Sequence, residues 1–243
     1  MAIKNLVFFG EDAFSCVILQ SLINTKYNIK VVVTPYYENY IYKRLEVICN
    51  QNKIKFIRTK AINSPEIENI IKSANPDLGV IAHFERLIKR TLIEIPTHGF
   101  INVHPSLLPY YRGMSPQHWP LINEEPESGI TVHFVDETAD TGDIILQRRF
   151  ALNTDMYVSD LQKIWLQEYK TLVPEAITLI EQGASTIKQH DLKGSYYGKL
   201  KDEQCIINND YTVRQAYNLI RGVSLPYQGA SYNNIKIFKA HII

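Results

Sequence analysis

The sequence predicts an α/β fold built on a doubly wound, mostly parallel sheet. Four short apolar runs have the length and composition of buried strands, at residues 3–9, 29–33, 53–57 and 78–82. Stretches with apolar residues at helical spacing separate these runs, and this βαβα alternation is typical of a parallel sheet with helices on both faces. We therefore expect a Rossmann-like sheet, followed by a small C-terminal helix plus β-hairpin extension.

The first predicted helix follows a turn at Gly10. Asp12 has the residue type of an N-cap, and the apolar residues after it recur at the spacing of one helix face. The turn has neither GxGxxG spacing nor the lysine of a P-loop, so we expect no dinucleotide or ATP fingerprint. Free N–H groups at a helix start can receive an anion, which would place Gly10 in a substrate site. A tight turn alone explains this glycine equally well.

Caps, periodicity and turn residues predict the remaining elements. Ser64-Pro65 has the pattern of a helix start, and residues 160–183 carry a helical stripe that Pro174 must kink or divide. Thr212 can cap a C-terminal helix, and the asparagines at 233 and 234 suit a hairpin turn because asparagine tolerates positive φ. We expect residues 1–185 to form the main domain and residues 186–243 to form the extension.

The composition of the 243-residue chain argues against several classes of protein. Hydrophobic residues make up 45% and charged residues 21%, and no apolar run approaches the roughly 20 residues of a membrane span. The net charge of +1 gives no general attraction to polyanions, so we expect no nucleic-acid partner. The 3 cysteines lack disulfide or zinc spacing, and Met1 leads straight into a strand. We therefore expect a cytoplasmic protein without membrane contact.

The polar residues with the clearest chemical role lie between residues 100 and 143. Asn102 and His104 alternate on a predicted strand, so their side chains project from the same side of it. Pro105 favours an extended conformation at His104, and Asp140 lies in a turn between strand-like runs at 130–135 and 144–150. An amide donor, an imidazole and a carboxylate are groups suited to adding a nucleophile to a carbonyl carbon.

Five short motifs occur in order along this stretch. They are Asn102-x-His104-Pro105-Ser106-Leu107-Leu108-Pro109, Tyr111-Arg112-Gly113, Pro116 with Trp119, Gly129-Ile130-Thr131-Val132-His133, and Asp140-Thr141-Gly142-Asp143. Together they resemble the folate-dependent formyltransferase family, and weaker similarity extends over most of the chain. The resemblance implies an N-formyltransferase that takes its formyl group from N10-formyltetrahydrofolate.

The same resemblance implies that Asn102, His104 and Asp140 are catalytic. An amine attacks the formyl carbon, and an oxyanion develops on the formyl oxygen. Asn102 would donate a hydrogen bond to this oxyanion, and His104 would take the amine proton or help to hold the oxyanion. Asp140 would orient the imidazole. Taken singly, each residue also has a structural explanation, as a turn cap, a buried histidine or an Asx-turn.

The resemblance also implies that two loops hold the pterin ring of the donor, through backbone groups and apolar side chains. The residues in these loops are Phe84, Arg86, Leu87, Ile88, Asp136, Glu137 and Thr138. A solvated charge is the alternative interpretation of Arg86. We expect no metal site, because His104, His133 and Asp140 carry ligand groups but show no short ligand spacing. His133 is interpreted as a packed or hydrogen-bonded strand residue.

The predicted acceptor is a nucleotide-linked amino sugar, as in the nucleotide-sugar N-formyltransferases. The short stretch after Ala230 and the near-neutral charge favour this acceptor over methionyl-tRNA, whose formyltransferases continue into a five-stranded barrel. Likeness alone suggests dTDP-4-amino-4,6-dideoxyglucose, for lipopolysaccharide O-antigen biosynthesis. A purine-pathway transformylase is disfavoured because the turn after the first strand is not glycine-rich. A formyltetrahydrofolate hydrolase and a non-catalytic binding protein are further alternatives.

Cations and aromatic rings near the later motifs are candidates for binding the diphosphate and the base of such a sugar nucleotide. They are Arg112, Lys199, Arg221, Tyr197, Tyr217 and Tyr227. The segment after Tyr211 is apolar yet too small to bury all its apolar residues in a core of its own. We therefore expect a homodimer that forms through the C-terminal extension.

Overall fold

The computed structural model describes residues 2–38, 43–189 and 192–242 of the chain. Its strands, in chain order, are β1 (Asn5–Gly10), β2 (Asn28–Pro35), β3 (Lys55–Thr59), β4 (Leu78–Ala82), β5 (Phe100–His104), β6 (Arg112–Gly113), β7 (Glu127–Phe134), β8 (Ile144–Ala151), β9 (Tyr196–Tyr197), β10 (Ala230–Tyr232) and β11 (Ile235–Ile237).

The helices, again in chain order, are α1 (Ala13–Ile23), α2 (Lys43–Gln51), α3 (Pro65–Ser73), α4 (Arg90–Ile93), α5 (Trp119–Ile122), α6 (Val158–Glu168), α7 (Leu172–Glu181) and α8 (Val213–Val223). A short 3-10 helix covers Asp202–Cys205. In the parts of the chain that the structure describes, no helix is both long enough and apolar enough to cross a bilayer.

Seven strands form one sheet with the order β3-β2-β1-β4-β5-β7-β8. The first five strands are parallel to their neighbours, and β7 runs antiparallel to β5. From β1 the chain first builds β2 and β3 on one side and then β4 and β5 on the other, so the strand order reverses between β1 and β4. Ligands of doubly wound sheets bind at such a reversal, outside the carboxyl ends of the strands. The predicted fold class is confirmed.

Apolar side chains from the central strands pack against α3 on one face of the sheet. Val7, Phe9, Val31, Val33, Ile81 and Phe100 of the sheet share a buried cluster with Ile67 and Ile71 of the helix. Gly79 on β4 makes room for the Phe100 ring, because a Cβ at this glycine would lie 2.2 Å from that ring. The cluster lies beneath the strand ends that carry the polar residues described below.

Helix α1 begins where the sequence predicts. The Asp12 side chain accepts a hydrogen bond from the Ser15 N–H at 2.8 Å, and Ser15 Oγ accepts one from the Asp12 N–H at 2.9 Å, which together form a capping box. A Cβ at Gly10 would lie 2.6 Å from Ser15 Cβ, so only glycine lets the turn pack this closely on the helix start. Packing alone is sufficient to explain Gly10, and its place in a substrate site stays a prediction.

Most of the strands shift by a few residues from the sequence-based boundaries, and two of the differences have a clear cause. Strand β3 begins at Lys55 and not at residue 53, because Lys53 has a φ of 55° and belongs to the preceding turn. The helical stretch predicted at 160–183 consists of α6 and α7, separated by residues 169–171. Pro174 lies in the first turn of α7, where its missing N–H costs no helical hydrogen bond, so it divides the stretch as expected.

The chain divides into two compact units, and both are discontinuous in sequence. The first comprises Met1–His104, Thr131–Leu146 and Leu166–Leu192, and the second comprises Pro105–Ile130, Gln147–Trp165 and Lys193–Ile243. The second unit has a core of its own, in which Leu219, Ile220 and Val223 of α8 pack with Cys205 and Ala230. The proposed domain boundary after residue 185 stays a prediction.

The C-terminal helix and hairpin are present as predicted. The capping box of α8 pairs Thr212 with Gln215. Strands β10 and β11 are antiparallel, with Tyr232 opposite Ile235. The two residues between them, Asn233 and Asn234, have φ values of 47° and 64°. This pair of left-handed residues gives the turn the twist that a two-residue hairpin requires.

Within the second unit, His118 makes stability depend on pH. Its side chain is buried, and Nδ1 donates to Gly222 O at 2.7 Å. Burial lowers the pKa of His118, although the bond to Gly222 acts in the opposite direction. Between this lowered pKa and the ordinary histidine pKa of about 6.5, the unfolded chain binds more protons than the folded chain. The contribution of His118 to stability is therefore complete above about pH 6.5 and declines as the pH falls below it.

Urea unfolding at about pH 7.5 and about pH 5.5 tests this dependence in the wild type and in His118→Gln. We expect acidification to lower the free energy of unfolding more in the wild type than in the variant, because glutamine does not titrate. Equal losses in the two proteins would show that His118 binds its proton in the folded protein as readily as in the unfolded chain.

Candidate active site

Strand β5 presents two polar side chains on one side. Asn102 and His104 are two residues apart on β5, and Pro105 follows directly. Strand β7 lies antiparallel beside it, with His133 opposite Asn102 and Thr131 opposite His104. Residues directly opposite in an antiparallel pair share a face of the sheet. The register therefore adds a second histidine to this face.

Asp140 reaches the same face from the turn between β7 and β8. Its φ is +60°, a left-handed conformation that aspartate tolerates better than most residues. Gly142 passes so close to β7 that a Cβ would lie 1.9 Å from Phe134 O. Gln189 Nε2 donates to Gly142 O at 2.6 Å. The Asp-x-Gly-Asp motif is thus a closely packed turn that fixes the position of one carboxylate.

The Asp140 carboxylate is the point where the polar residues of the site meet. Asn102 Nδ2 donates to Oδ1 at 3.3 Å, and His133 Nε2 lies 3.4 Å from the same oxygen. His104 Nδ1 lies 3.5 Å from Oδ2, and the His104 side chain is only 5% exposed. Water screens such buried groups weakly, so the carboxylate acts on both imidazoles more strongly than it would at the surface.

The contacts of His133 orient the Asn102 amide. His133 Nδ1 lies 2.7 Å from the Phe134 carbonyl oxygen, which can only accept, so Nδ1 carries a proton. Neutral His133 then has its lone pair on Nε2, which lies 3.3 Å from Asn102 Nδ2. The two N–H groups of the amide therefore point to His133 and to Asp140. From the sequence, His133 was interpreted as a packed or hydrogen-bonded strand residue. Its contacts with Asn102 and Asp140 were not predicted.

The loop after β4 carries the first set of residues that the resemblance assigns to the pterin ring. The Phe84 ring packs edge-on against Phe9 at 5.6 Å between centroids. Leu87 is 69% exposed, and Arg86 is also exposed. Ile88 is buried in the sheet cluster, so its side chain supports the loop from beneath and does not present a surface to a ligand. An exposed leucine beside a half-buried phenylalanine gives this loop an apolar surface that fits a flat ring.

The second loop, before Asp140, is ordered by its own polar groups. Asp136 Oδ1 accepts from the Thr138 N–H at 3.0 Å and from Thr141 Oγ1 at 2.7 Å. Asp136, Glu137 and Thr138 are exposed. Because the Asp136 carboxylate is engaged within its own loop, the side chain shapes the backbone, which remains the part of this loop suited to a pterin.

The structure places the predicted substrate residues unequally. Lys199 is exposed and Arg112 is half-buried. The Tyr197 ring stacks on Tyr111 at 5.1 Å and packs on Trp119 at 4.7 Å. Two further tyrosines have structural contacts: Tyr217 is buried, and the ring of Tyr227 packs on His118 while its hydroxyl accepts from Gln162. All six candidates other than Gly10 belong to the second unit, whereas Asn102, His104 and Asp140 belong to the first.

Arg221 was predicted to bind phosphate, and the structure assigns it a different role. Its side chain is among the largest fully buried ones, and the residue is 2% exposed. The guanidinium donates to Asn218 Oδ1 and to the carbonyl oxygens of Asn153, Met156 and Leu121. Burial lowers the pKa of Arg221, which fits a cation held by neutral acceptors. Because the N–H groups of Arg221 already donate to these carbonyl oxygens, its side chain stabilises the second unit and does not face a ligand.

Replacing Arg221 should therefore destabilise the protein. Arg221→Ala leaves several buried carbonyl groups without a donor, and we expect it to lower the free energy of unfolding by about 3 kcal/mol or more. Arg214→Ala is the matched control on the same helix, since Arg214 lies on the surface 3.5 Å from Glu124 and should contribute at most about 1 kcal/mol. Equal unfolding midpoints of the two variants in urea would contradict the structural role.

Several side chains in this site are of the types that bind metal ions. Although His104, His133 and Asp140 converge, no group of three or more His, Cys, Asp or Glu side chains within the described ranges is arranged to hold a metal ion. The cysteines Cys16, Cys49 and Cys205 are free and buried. The site is thus best described as an amide, two imidazoles and a carboxylate.

Comparison with known proteins identifies the family. A family model described as formyl transferase matches residues 5–177. The chain belongs to the formyl transferase family. It is 33% identical to the methionyl-tRNA formyltransferase of Ruminiclostridium cellulolyticum over 98% of this chain and 80% of that protein. It is 32% identical to the enzyme of the same name from Geobacter metallireducens, over 100% of this chain and 81% of that protein.

Solved structures with the same fold include sugar formyltransferases. The sugar 3N-formyl transferase WlaRD, solved in the presence of dTDP and 5-N-formyl-THF, is 25% identical, with a TM-score of 0.75, over 98% of this chain and 86% of that chain. A 4-N formyltransferase from Francisella tularensis is 24% identical, with a TM-score of 0.76, over 98% of this chain and 97% of that chain. Family membership confirms the predicted reaction class, formyl transfer, and the predicted co-substrate, N10-formyltetrahydrofolate.

The prediction of a nucleotide-sugar acceptor is wrong. The curated relatives that match nearly the whole chain at 28–33% identity are methionyl-tRNA formyltransferases. That prediction relied on the number of residues after Ala230 and on the small net charge. Chain length and net charge do not describe the groups that contact an acceptor. They therefore carry less weight than the identity to methionyl-tRNA formyltransferases, which extends over both units of the fold.

The catalytic roles of Asn102, His104 and Asp140 stay a prediction, and alanine variants test them. We expect each to lower kcat by about 100-fold or more, because each removes a group that acts on the developing charge. Asp140→Asn isolates the charge, since asparagine also tolerates a positive φ. Near-normal single-turnover rates in His104→Ala would remove the imidazole from the mechanism.

Proposed function

We propose that this protein transfers the formyl group of N10-formyltetrahydrofolate to the amino group of methionyl-tRNA. The observation that carries the proposal is the 33% identity to a methionyl-tRNA formyltransferase over 98% of this chain. The matched region includes every residue of the site around Asp140. The arrangement of that site supports transfer of an acyl-type group to an amine.

Asn102 is the residue suited to stabilising the oxyanion that develops on the formyl oxygen. Its amide is held near the reacting groups by Asp140 and His133 before the substrates bind, and an amide N–H that donates to a developing oxyanion stabilises it. During the reaction one N–H would turn from these partners to the oxyanion. His133 and Asp140 would keep the other N–H in place.

His104 is suited to accepting the proton that the attacking amine must lose. Its Nδ1 faces the Asp140 carboxylate, so Nε2 is the ring nitrogen that would exchange the proton with the amine. A carboxylate on Nδ1 stabilises the imidazolium that forms. The leaving nitrogen of the donor can then take back this proton, which completes the transfer.

A nucleic-acid acceptor replaces the earlier expectation of no nucleic-acid partner. That expectation used the net charge of the chain, yet a near-neutral chain can still have a locally basic surface. Strand β3 is an edge of the sheet, and Lys53, Lys55, Arg58 and Lys60 are exposed along it and its flanks. A basic edge of this kind suits a phosphate backbone. Homodimer formation through the C-terminal extension stays a prediction.

An acceptor assay tests the proposal. The purified protein is offered N10-formyltetrahydrofolate with methionyl-tRNA, glycinamide ribonucleotide or a dTDP-linked amino sugar, and His104→Ala serves as the negative control. We expect formyl-methionyl-tRNA to form with a kcat/KM at least about 100-fold above the other acceptors, and its KM to rise with salt as phosphate contacts weaken. Preferred formylation of the sugar or the ribonucleotide, or release of formate at the same rate without acceptor, would overturn the proposal.

A further inference from the structure

The loop between β4 and α4, residues 83–89, adopts a conformation that needs outside support. His83, the first residue of the loop, has a φ of +48°. A left-handed conformation is uncommon for a residue with a side chain and persists only where surrounding contacts hold it. This loop is also the first of the two that fit the pterin ring. What holds it therefore bears on donor binding.

Two consecutive carboxylates on the turn after β1 hold the first half of the loop. Asp12 Oδ2 lies 3.2 Å from His83 Nδ1, and Glu11 Oε1 accepts from the Glu85 N–H at 2.6 Å. The turns lie side by side because β1 and β4 are neighbours, with Gly10 paired to Ala82. Adjacent residues of the turn thus contact residues 83 and 85 of the loop. A shift of the loop along the turn would break both contacts.

Asp12 favours its charged form, which suits its contact with His83. Burial alone would raise its pKa, but the neighbouring His83 imidazole and the hydrogen bonds to the carboxylate outweigh burial, and the pKa of Asp12 is lowered. On its other edge the His83 ring nitrogen Nε2 lies 2.8 Å from Tyr169 Oη, and the Phe14 ring stacks on it at 4.9 Å. The imidazole is thereby fixed on three sides.

In Glu11 burial is the larger effect, and the pKa shifts in the opposite direction to that of Asp12. Burial raises the pKa of this carboxyl group, while the hydrogen bonds from Tyr37 and from the Glu85 N–H act to lower it. Glu11 is 5% exposed, and Tyr37 Oη donates to its second oxygen at 2.7 Å. A buried carboxyl group with both oxygens engaged is an anchor for its neighbours and has no oxygen left for a substrate.

One side chain holds the second half of the loop. Asn63, just before α3, donates from Nδ2 to Leu87 O at 3.0 Å and accepts at Oδ1 from the Lys89 N–H at 2.7 Å. The loop is thus held through the His83 side chain and through the backbone at residues 85, 87 and 89, while the side chains of Arg86 and Leu87 are exposed. The backbone is fixed and a surface for a ligand is left open.

We propose that Glu11, Asp12 and Asn63 are positioning residues for the formyl donor, which hold the loop after β4 in its binding conformation before the donor arrives. A loop that is already ordered does not lose that conformational freedom on binding, so the donor binds more tightly. None of the three residues is expected to act on the reacting atoms. The inference rests on the tetrahydrofolate donor and not on the identity of the acceptor.

The test uses variants that remove the contacts but keep the local fold. Asp12→Ser keeps an N-cap for α1 and removes the contact with His83. Asn63→Ala removes both bonds to the loop. Glu11→Ala removes an acceptor that Glu11→Gln retains for the Glu85 N–H. Two controls match them: Ser15→Ala breaks the same capping box without touching the loop, and Asn52→Ala removes a comparable bond from Asn52 Nδ2 to Ile48 O.

Donor binding is measured by titration with 5-formyltetrahydrofolate in the absence of acceptor, and hydrogen exchange is followed at the amides of Glu85 and Lys89. We expect Asp12→Ser, Asn63→Ala and Glu11→Ala to raise the donor Kd and KM by about 10-fold, with kcat at saturating donor changed less than about two-fold and with faster amide exchange. Glu11→Gln, Ser15→Ala and Asn52→Ala should bind the donor as the wild type does.

Two results would overturn the inference. An unchanged donor Kd in Asp12→Ser and Asn63→Ala, despite faster exchange, would show that loop order does not limit binding. A matching rise in donor Kd for the two controls would show that the variants act through general stability. Because the titration contains no acceptor, failure to formylate methionyl-tRNA would leave this readout intact and would count only against the proposed acceptor.

Discussion

The site depends on the carboxylate of Asp140, which accepts a hydrogen bond from Asn102 and lies within 3.5 Å of ring nitrogens of His104 and His133. Two features place it there: the antiparallel register of β5 and β7, which sets His133 opposite Asn102, and the left-handed turn that directs Asp140 back over the sheet. Without the carboxylate, the imidazole of His104 would lose the partner that stabilises its charged form, and the amide of Asn102 would lose one of the two groups that orient it. Buried networks of this kind function only when every member has its partner.

The topology of the sheet explains where the loops that are proposed to bind the formyl donor lie. Strand order reverses between β1 and β4, and the segments after these two strands carry Glu11, Asp12 and the loop that begins at His83. Strand β5 is the next strand over and carries Asn102 and His104. The loops proposed to bind the donor and the side chains proposed to react therefore occupy neighbouring strand ends of one unit, which is where a doubly wound sheet binds its ligands.

Local signals in the sequence were sufficient for much of the fold. The cap at Asp12, the break at Pro174 and the hairpin at Asn233 and Asn234 depend on residue type and short spacing, and the structure shows each of them. His133 and Arg221 were assigned less well, because their roles depend on strand register and on the packing of distant segments. Hydrogen bonds from Arg221 span up to 100 positions along the chain, and no local pattern reports such a contact. The acceptor was mispredicted for a related reason, since length and net charge are properties of the whole chain.

Histidine NMR of the wild type and Asp140→Asn tests the central claim most directly. If the carboxylate organises the site, the ring nitrogen resonances of both His104 and His133 should shift in the variant, while those of His118 in the second unit should not. Unchanged ring nitrogen resonances of His104 and His133 in a folded Asp140→Asn would contradict the claim that this carboxylate holds the site together.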